Sequence, residues 1–138
     1  MRDQGNTVAL TDSVLVLDQD IEKLFSVEIA RELRAKLVLF VKELGVKIYV
    51  KSHPSQARSE LIRNFGERVV LIETRKPAEL LALELRPSYL VSFISSALKN
   101  VVGILPNVKS YSFGAREFDE IRGMQLARVF HDFGVKAL

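Results

Sequence analysis

Two rhythms of apolar positions alternate along the chain. Short β-rich runs are followed by longer stretches in which apolar residues recur every three or four positions, the pattern of strands joined by helices. The first run, Ser13-Val14-Leu15-Val16-Leu17-Asp18, is almost continuously apolar, as a strand covered on both faces must be. The spacing of Ile29, Ala30, Leu33, Leu37, Val41 and Leu44 then predicts a helix, with Ser26 as its cap and Gly45 as its stop. Lys47-Ile48-Tyr49-Val50-Lys51 predicts a second strand that runs into Ser52-His53-Pro54, where proline ends pairing. A helix from Ser55 to about Phe65, a third strand over Val69–Glu73, and a helix opened by Pro77 follow. Tyr89–Ile94 predicts a fourth strand, broken by Ser95-Ser96 into a short helical turn through Val102. Val108–Phe113 predicts a weaker fifth strand. Phe118, Ile121, Leu126, Val129, Phe130 and Phe133 form one stripe, predicting a single last helix from about Glu117 to Phe133.

Strands alternating with helical crossovers imply an α/β fold with an open parallel sheet of about five strands and helices on both faces. A chain that begins βαβαβ favours the order 3-2-1-4-5. Residues 1–12 read as a flexible lead and 13–138 as one domain, which the 138-residue length suits. The chain has no cysteine, so disulfides, thiolate metal sites and a thiol nucleophile are excluded. Its two histidines stand apart from any acidic cluster, so no metal site is expected, and His131 is assigned to packing or surface. No apolar run approaches the roughly 20 residues of a membrane span, and no signal-peptide pattern opens the chain, which reads as cytoplasmic.

The net charge of +3 is too small for a dedicated nucleic-acid binder. The excess is local: Val46 to Lys76 holds seven bases against three acids, which suits an anionic small ligand and equally a solvated surface. In an open parallel sheet the loops at the C-terminal strand ends line the ligand crevice, deepest where the winding reverses. Three polar loops fall there: Asp18-Gln19-Asp20, Lys51-Ser52-His53-Pro54 and Ser95-Ser96. The histidine and serine loops should lie ~10 Å apart, one strand width to either side of the first. Ser95 and Ser96 offer hydroxyls beside the free N–H groups of a helix start, an anion site as well as an ordinary cap. His53 can face a phosphate from a stiff His-Pro turn, or simply occupy that turn. No Gly-x-Gly-x-x-Gly, Walker loop or Gly-x-Ser-x-Gly elbow is present.

The order Asp18-Gln19, Lys51-Ser52-His53-Pro54, Pro77-Ala78-Glu79-Leu80-Leu81 and Ser92-Phe93-Ile94-Ser95-Ser96-Ala97-Leu98 resembles the C-terminal, nucleotide-sugar-binding domain of bacterial sialyltransferases of the polysialyltransferase and lipooligosaccharide sialyltransferase type. The resemblance spans about Val14 to Phe113. It implies one Rossmann-like half of a B-type glycosyltransferase, with CMP-sialic acid as donor, no further cofactor, and inverting transfer onto a galactosyl or sialyl acceptor of a capsule or lipooligosaccharide. By the His-Pro motif, His53 would contact the CMP phosphate and stabilise the leaving group. By the Ser-Ser motif, Ser95 and Ser96 would hold the phosphate or the sugar carboxylate. Lys51, Ser52, Pro54, Asp18 and Gln19 complete the expected donor site. The acceptor and the catalytic base, an acidic pair before glycine, belong to an N-terminal domain of the family for which this chain offers only Asp3-Gln4-Gly5. The chain is therefore expected to be a fragment or a stand-alone half, inactive in isolation, with peripheral membrane association of the full-length protein compatible with this reading.

Two readings compete. A signalling receiver-like domain shares the size and the acids after strand one, but Glu73 and Phe113-Gly114 stand where it needs an aspartate and a lysine. An α/β interaction domain without catalytic activity needs none of these loops.

Overall fold

Among the described residues six parallel strands form one open sheet, in the order Val69–Ile72, Lys47–Lys51, Thr11–Leu17, Pro87–Ser92, Lys109–Ser112 and Val135–Ala137. The computed structural model of the protein describes residues 9–52, 60–66 and 69–138. The strands are β1 (Thr11–Leu17), β2 (Lys47–Lys51), β3 (Val69–Ile72), β4 (Pro87–Ser92), β5 (Lys109–Ser112) and β6 (Val135–Ala137). The helices are α1 (Val27–Leu44), α2 (Glu60–Phe65), α3 (Ala78–Leu85), α4 (Ala97–Ile104), α5 (Ala115–Arg122) and α6 (Leu126–Asp132). The predicted five-strand order is present, and the winding reverses at β1, which lies between β2 and β4. A receiver-like domain has a different order, 2-1-3-4-5, so that reading falls.

β1 explains the two layers. Its side chains alternate, Val14 and Val16 entering one core with α1 and α2, and Leu15 and Leu17 entering the other with α3, α4 and α6. All four are fully buried or nearly so. α1 starts and stops where its sequence directs: Ser26 Oγ accepts the Ile29 N–H at 3.2 Å, and Gly45 adopts φ 68°. The predicted Ser55 cap lies outside the described residues. β1 begins at Thr11, two residues before the apolar run, because the Thr11 N–H donates to Arg86 O at 2.7 Å and pairs the polar lead with the entry to β4.

The chain after β5 departs from expectation. The single helix predicted over Glu117–Phe133 is two helices, because Gly123 takes φ 63° and turns the chain. Asp119 then caps the second one, its two carboxylate oxygens accepting the N–H groups of Leu126 at 2.6 Å and Ala127 at 2.8 Å. Gly134 at φ 84° releases the chain into β6, a strand of three residues whose alternating Val-Lys-Ala is too short to carry a pattern. Gly114 is the other glycine that its site demands: at φ 107° it opens α5, and a Cβ there would stand 3.0 Å from Leu33 Cδ1.

An ion pair between a buried arginine and a largely exposed glutamate fixes the connection leaving β1. Glu22 lies in a 3-10 turn over Ile21–Lys23 and accepts Arg34 Nη2 of α1 at 2.8 Å in a two-pronged contact. The Arg34 side chain is 5% exposed and that of Glu22 40%. The hydrogen bond from Arg34, helped by its charge, holds the Glu22 carboxyl down at about 2 against an ordinary 4.5.

Two outcomes follow from these contacts. Because the folded carboxyl is the stronger acid, its contribution to stability is complete above pH 4.5 and is lost as pH falls toward 2. Glu22→Gln should therefore cost about 1 kcal/mol at pH 7, the screening of its exposed portion allowed for. The gap from wild type should close over that acid range in urea unfolding; a gap constant with pH would remove the ion pair as its cause. Asp119→Ala should cost about 1–2 kcal/mol by the same measurement, as loss of a helix cap does. An unchanged midpoint would assign the α6 start to other contacts.

Candidate functional site

The reversal of winding at β1 brings three strand ends level. Leu17 pairs with Lys51 on one side and Val16 with Val91 on the other. The Asp18 N–H donates to Lys51 O at 3.0 Å, carrying the β1–β2 pairing one residue past the strand. Above these ends lies a cleft of about 210 Å³. Asp18, Gln19, Lys51, Ser52 and Ser95 line it, so five of the residues singled out in the sequence meet in one place.

Their engagements differ. Asp18 is 5% exposed, and its Oδ1 accepts the Gln19 N–H at 2.9 Å. The Gln19 side-chain amide reaches across to the loop after β4, accepting the Ile94 N–H at 2.8 Å and donating to Ile94 O. Ser95 Oγ accepts the Ala97 N–H at 3.3 Å, so Ser95 closes the first turn of α4 with its own side chain. Lys51 stands half-buried at the end of β2; it and Asp18 are the charged side chains lining the cleft among the described residues.

Other expected residues are elsewhere. Ser96 holds helical backbone angles, makes no side-chain cap bond and is exposed outside the cleft lining, so of the two serines it is Ser95 that caps. Asp20 pairs with Lys23 at 3.7 Å. His53 and Pro54 lie outside the described residues. The basic stretch is dispersed: Lys47 sits over the Tyr49 ring, Lys76 pairs with Glu84, Arg63 and Arg75 are exposed, and among its described cations Lys51 alone lines this cleft.

Three further residues line the cleft: Leu17 at the end of β1, and Ser92 and Ala78, which stand in the motifs quoted above without a site role assigned to them. Ser92 was read as part of a strand, and its fully buried hydroxyl donates to Leu17 O at 2.7 Å. Ala78 opens α3 behind Pro77, which has no side-chain cap bond, so a second helix start faces the cleft beside that of α4. Pro77 was the available signal; the return of α3 to the switch point comes from topology.

Among the described residues no group of acids and histidines could hold a metal ion, and no helix is long and apolar enough to cross a membrane. An open parallel sheet with helices around it and a polar cleft at its winding reversal defines a Rossmann-like α/β domain. The chain belongs to the alpha-2,8-polysialyltransferase (POLYST) family, whose model matches residues 2–112. That match ends on the last residue of β5, so the sheet through β5 is family territory and α5, α6 and β6 follow it. No curated protein matches the chain.

Proposed function

We propose that this sialyltransferase-related domain binds CMP-sialic acid as the donor-side half of an inverting sialyltransferase that extends a cell-surface glycan. The observation that carries the reading is the convergence of Asp18, Lys51, Ser52 and Ser95 on one switch-point cleft. Its volume of about 210 Å³ is below the roughly 300–1,000 Å³ of pockets that enclose a whole small molecule. It suits the phosphate and one adjoining sugar, with a facing domain closing over the rest.

The electrostatics favour a modest anion. Lys51 and Asp18 oppose each other in charge, and the starts of α3 and α4 each add about half a positive charge. That sum suits one phosphodiester better than a nucleoside triphosphate. In the proposed reaction the acceptor hydroxyl oxygen forms a bond to the sialyl anomeric carbon as the bond to the CMP oxygen breaks. CMP departs with the electron pair, and the hydroxyl proton passes to a base of the facing domain. Donors at the phosphate gain most as the leaving charge develops. His53 is assigned that role, with Lys51, Ser52 and Ser95 gripping ground and transition states alike.

This chain should bind CMP with a Kd of ~0.1–1 mM, since in the proposed enzyme a facing domain supplies the other half of the closing surface. An NMR titration should move the amides of Lys51, Ser52, Ser95 and Ala97; shifts confined to α6 would overturn the site. Sialyl transfer from CMP-sialic acid to a galactoside should be undetectable with the chain alone, and measurable transfer would refute the need for a facing base. In a two-domain enzyme carrying this half, His53→Ala should lower kcat about a hundredfold with a smaller change in donor KM. Unchanged kcat would end the assignment of His53.

A further inference from the structure

We infer that Gln19 is a positioning residue that sets the serine loop for the phosphate, an inference that rests on the proposed donor reading. Gln19 leaves β1, whereas Ile94 and Ser95 follow β4, and Gln19 and Ile94 are seventy-five positions apart along the chain. The Gln19 amide serves both backbone groups of Ile94, accepting from Ile94 N at 2.8 Å and donating to Ile94 O, so the side chain does what neighbouring backbone does inside the sheet. The residue so gripped is the one before Ser95, and Ser95 Oγ in turn orders Ala97 at the start of α4. The placement of Ser95 at the cleft, and through it of the first turn of α4, is thus set from β1.

Only an amide fits. The Ile94 N–H requires an acceptor and Ile94 O requires a donor, which fixes the orientation of the Gln19 side chain without choice. A carboxylate would satisfy the first and set oxygen against oxygen at the second. A protonated carboxyl would satisfy both again. Gln19→Glu is therefore a nearly isosteric substitution that should break the clasp at neutral pH and restore it in acid. Asp18 on the same loop and Lys51 on β2 are the charged groups lining that cleft among the described residues, so the wild type titrated alongside supplies their share of any pH effect.

The experiment uses this chain with Gln19→Ala, Gln19→Glu and Ser88→Ala. Ser88→Ala removes a bond between the same two strands at the opposite end of the sheet, where Ser88 Oγ donates to Thr11 O at 2.6 Å. In Gln19→Ala the Ile94 amide should exchange about tenfold faster, the Ser95 and Ala97 resonances should move, and the CMP Kd should rise about fivefold, while Ser88→Ala changes none of these. In Gln19→Glu the Ile94 resonance should leave its wild-type position at pH 7 and return to it on acidification. Unchanged Ile94 exchange in Gln19→Ala, or an unchanged CMP Kd once the loop has moved, would overturn the positioning role. A wild-type chain that ignores CMP would overturn the donor reading, and the Ile94 exchange would still decide the clasp.

Discussion

Where parallel strands stop, their backbone groups lose ladder partners, and this site depends on what replaces them. At the C-terminal edge of β1, β4 and β5 three side chains take over. Ser92 Oγ donates to Leu17 O, Ser112 Oγ donates to Phe93 O at 2.6 Å, and the Gln19 amide serves both backbone groups of Ile94. Each would otherwise leave a buried or half-buried polar group unpaired, at about 1–3 kcal/mol apiece. Each also crosses from one strand to its neighbour. The strand ends are thereby joined into one edge on which a loop can keep a fixed direction.

This edge also explains which parts of the protein could be read in advance. β1 and α1 were legible because burial on both faces of β1 demands a continuous apolar run, and because Ser26 and Gly45 act locally, within one turn of their helix. The strand order followed from connectivity, since βαβ crossovers of one hand leave few arrangements. The site loops were legible for the same reason: topology places them, whatever their side chains do. Hence Asp18, Lys51, Ser52 and Ser95 met where the winding reverses.

What escaped was long-range pairing. Gln19 reads as a polar loop residue, and nothing nearby in the sequence says that its partner is Ile94. Asp119 reads as one more charge on an amphipathic stripe, yet it ends one helix and begins the next, a contact that requires the turn at Gly123. β6 has three residues, fewer than any periodicity needs, and it exists because β5 offers Ser110, Tyr111 and Ser112 an open edge to pair. In each case the decisive partner is distant in sequence, so local propensity has no access to it.

The different engagements of the two serines follow from the same distinction. Two adjacent serines before a helix are equivalent in sequence, and either could cap. The Gln19 clasp on Ile94 breaks that equivalence by holding the residue before Ser95 against β1. Ser95 is then aligned over the first turn of α4, and Ser96, one residue on, already has helical backbone angles of φ −65° and ψ −21°. A residue inside the helix cannot cap it, because a capping side chain needs extended backbone to fold back over the N–H groups. The division of labour between the two hydroxyls is thus imposed from a different strand, and the residues that line a cleft are chosen as much by the clasps behind them as by their own chemistry.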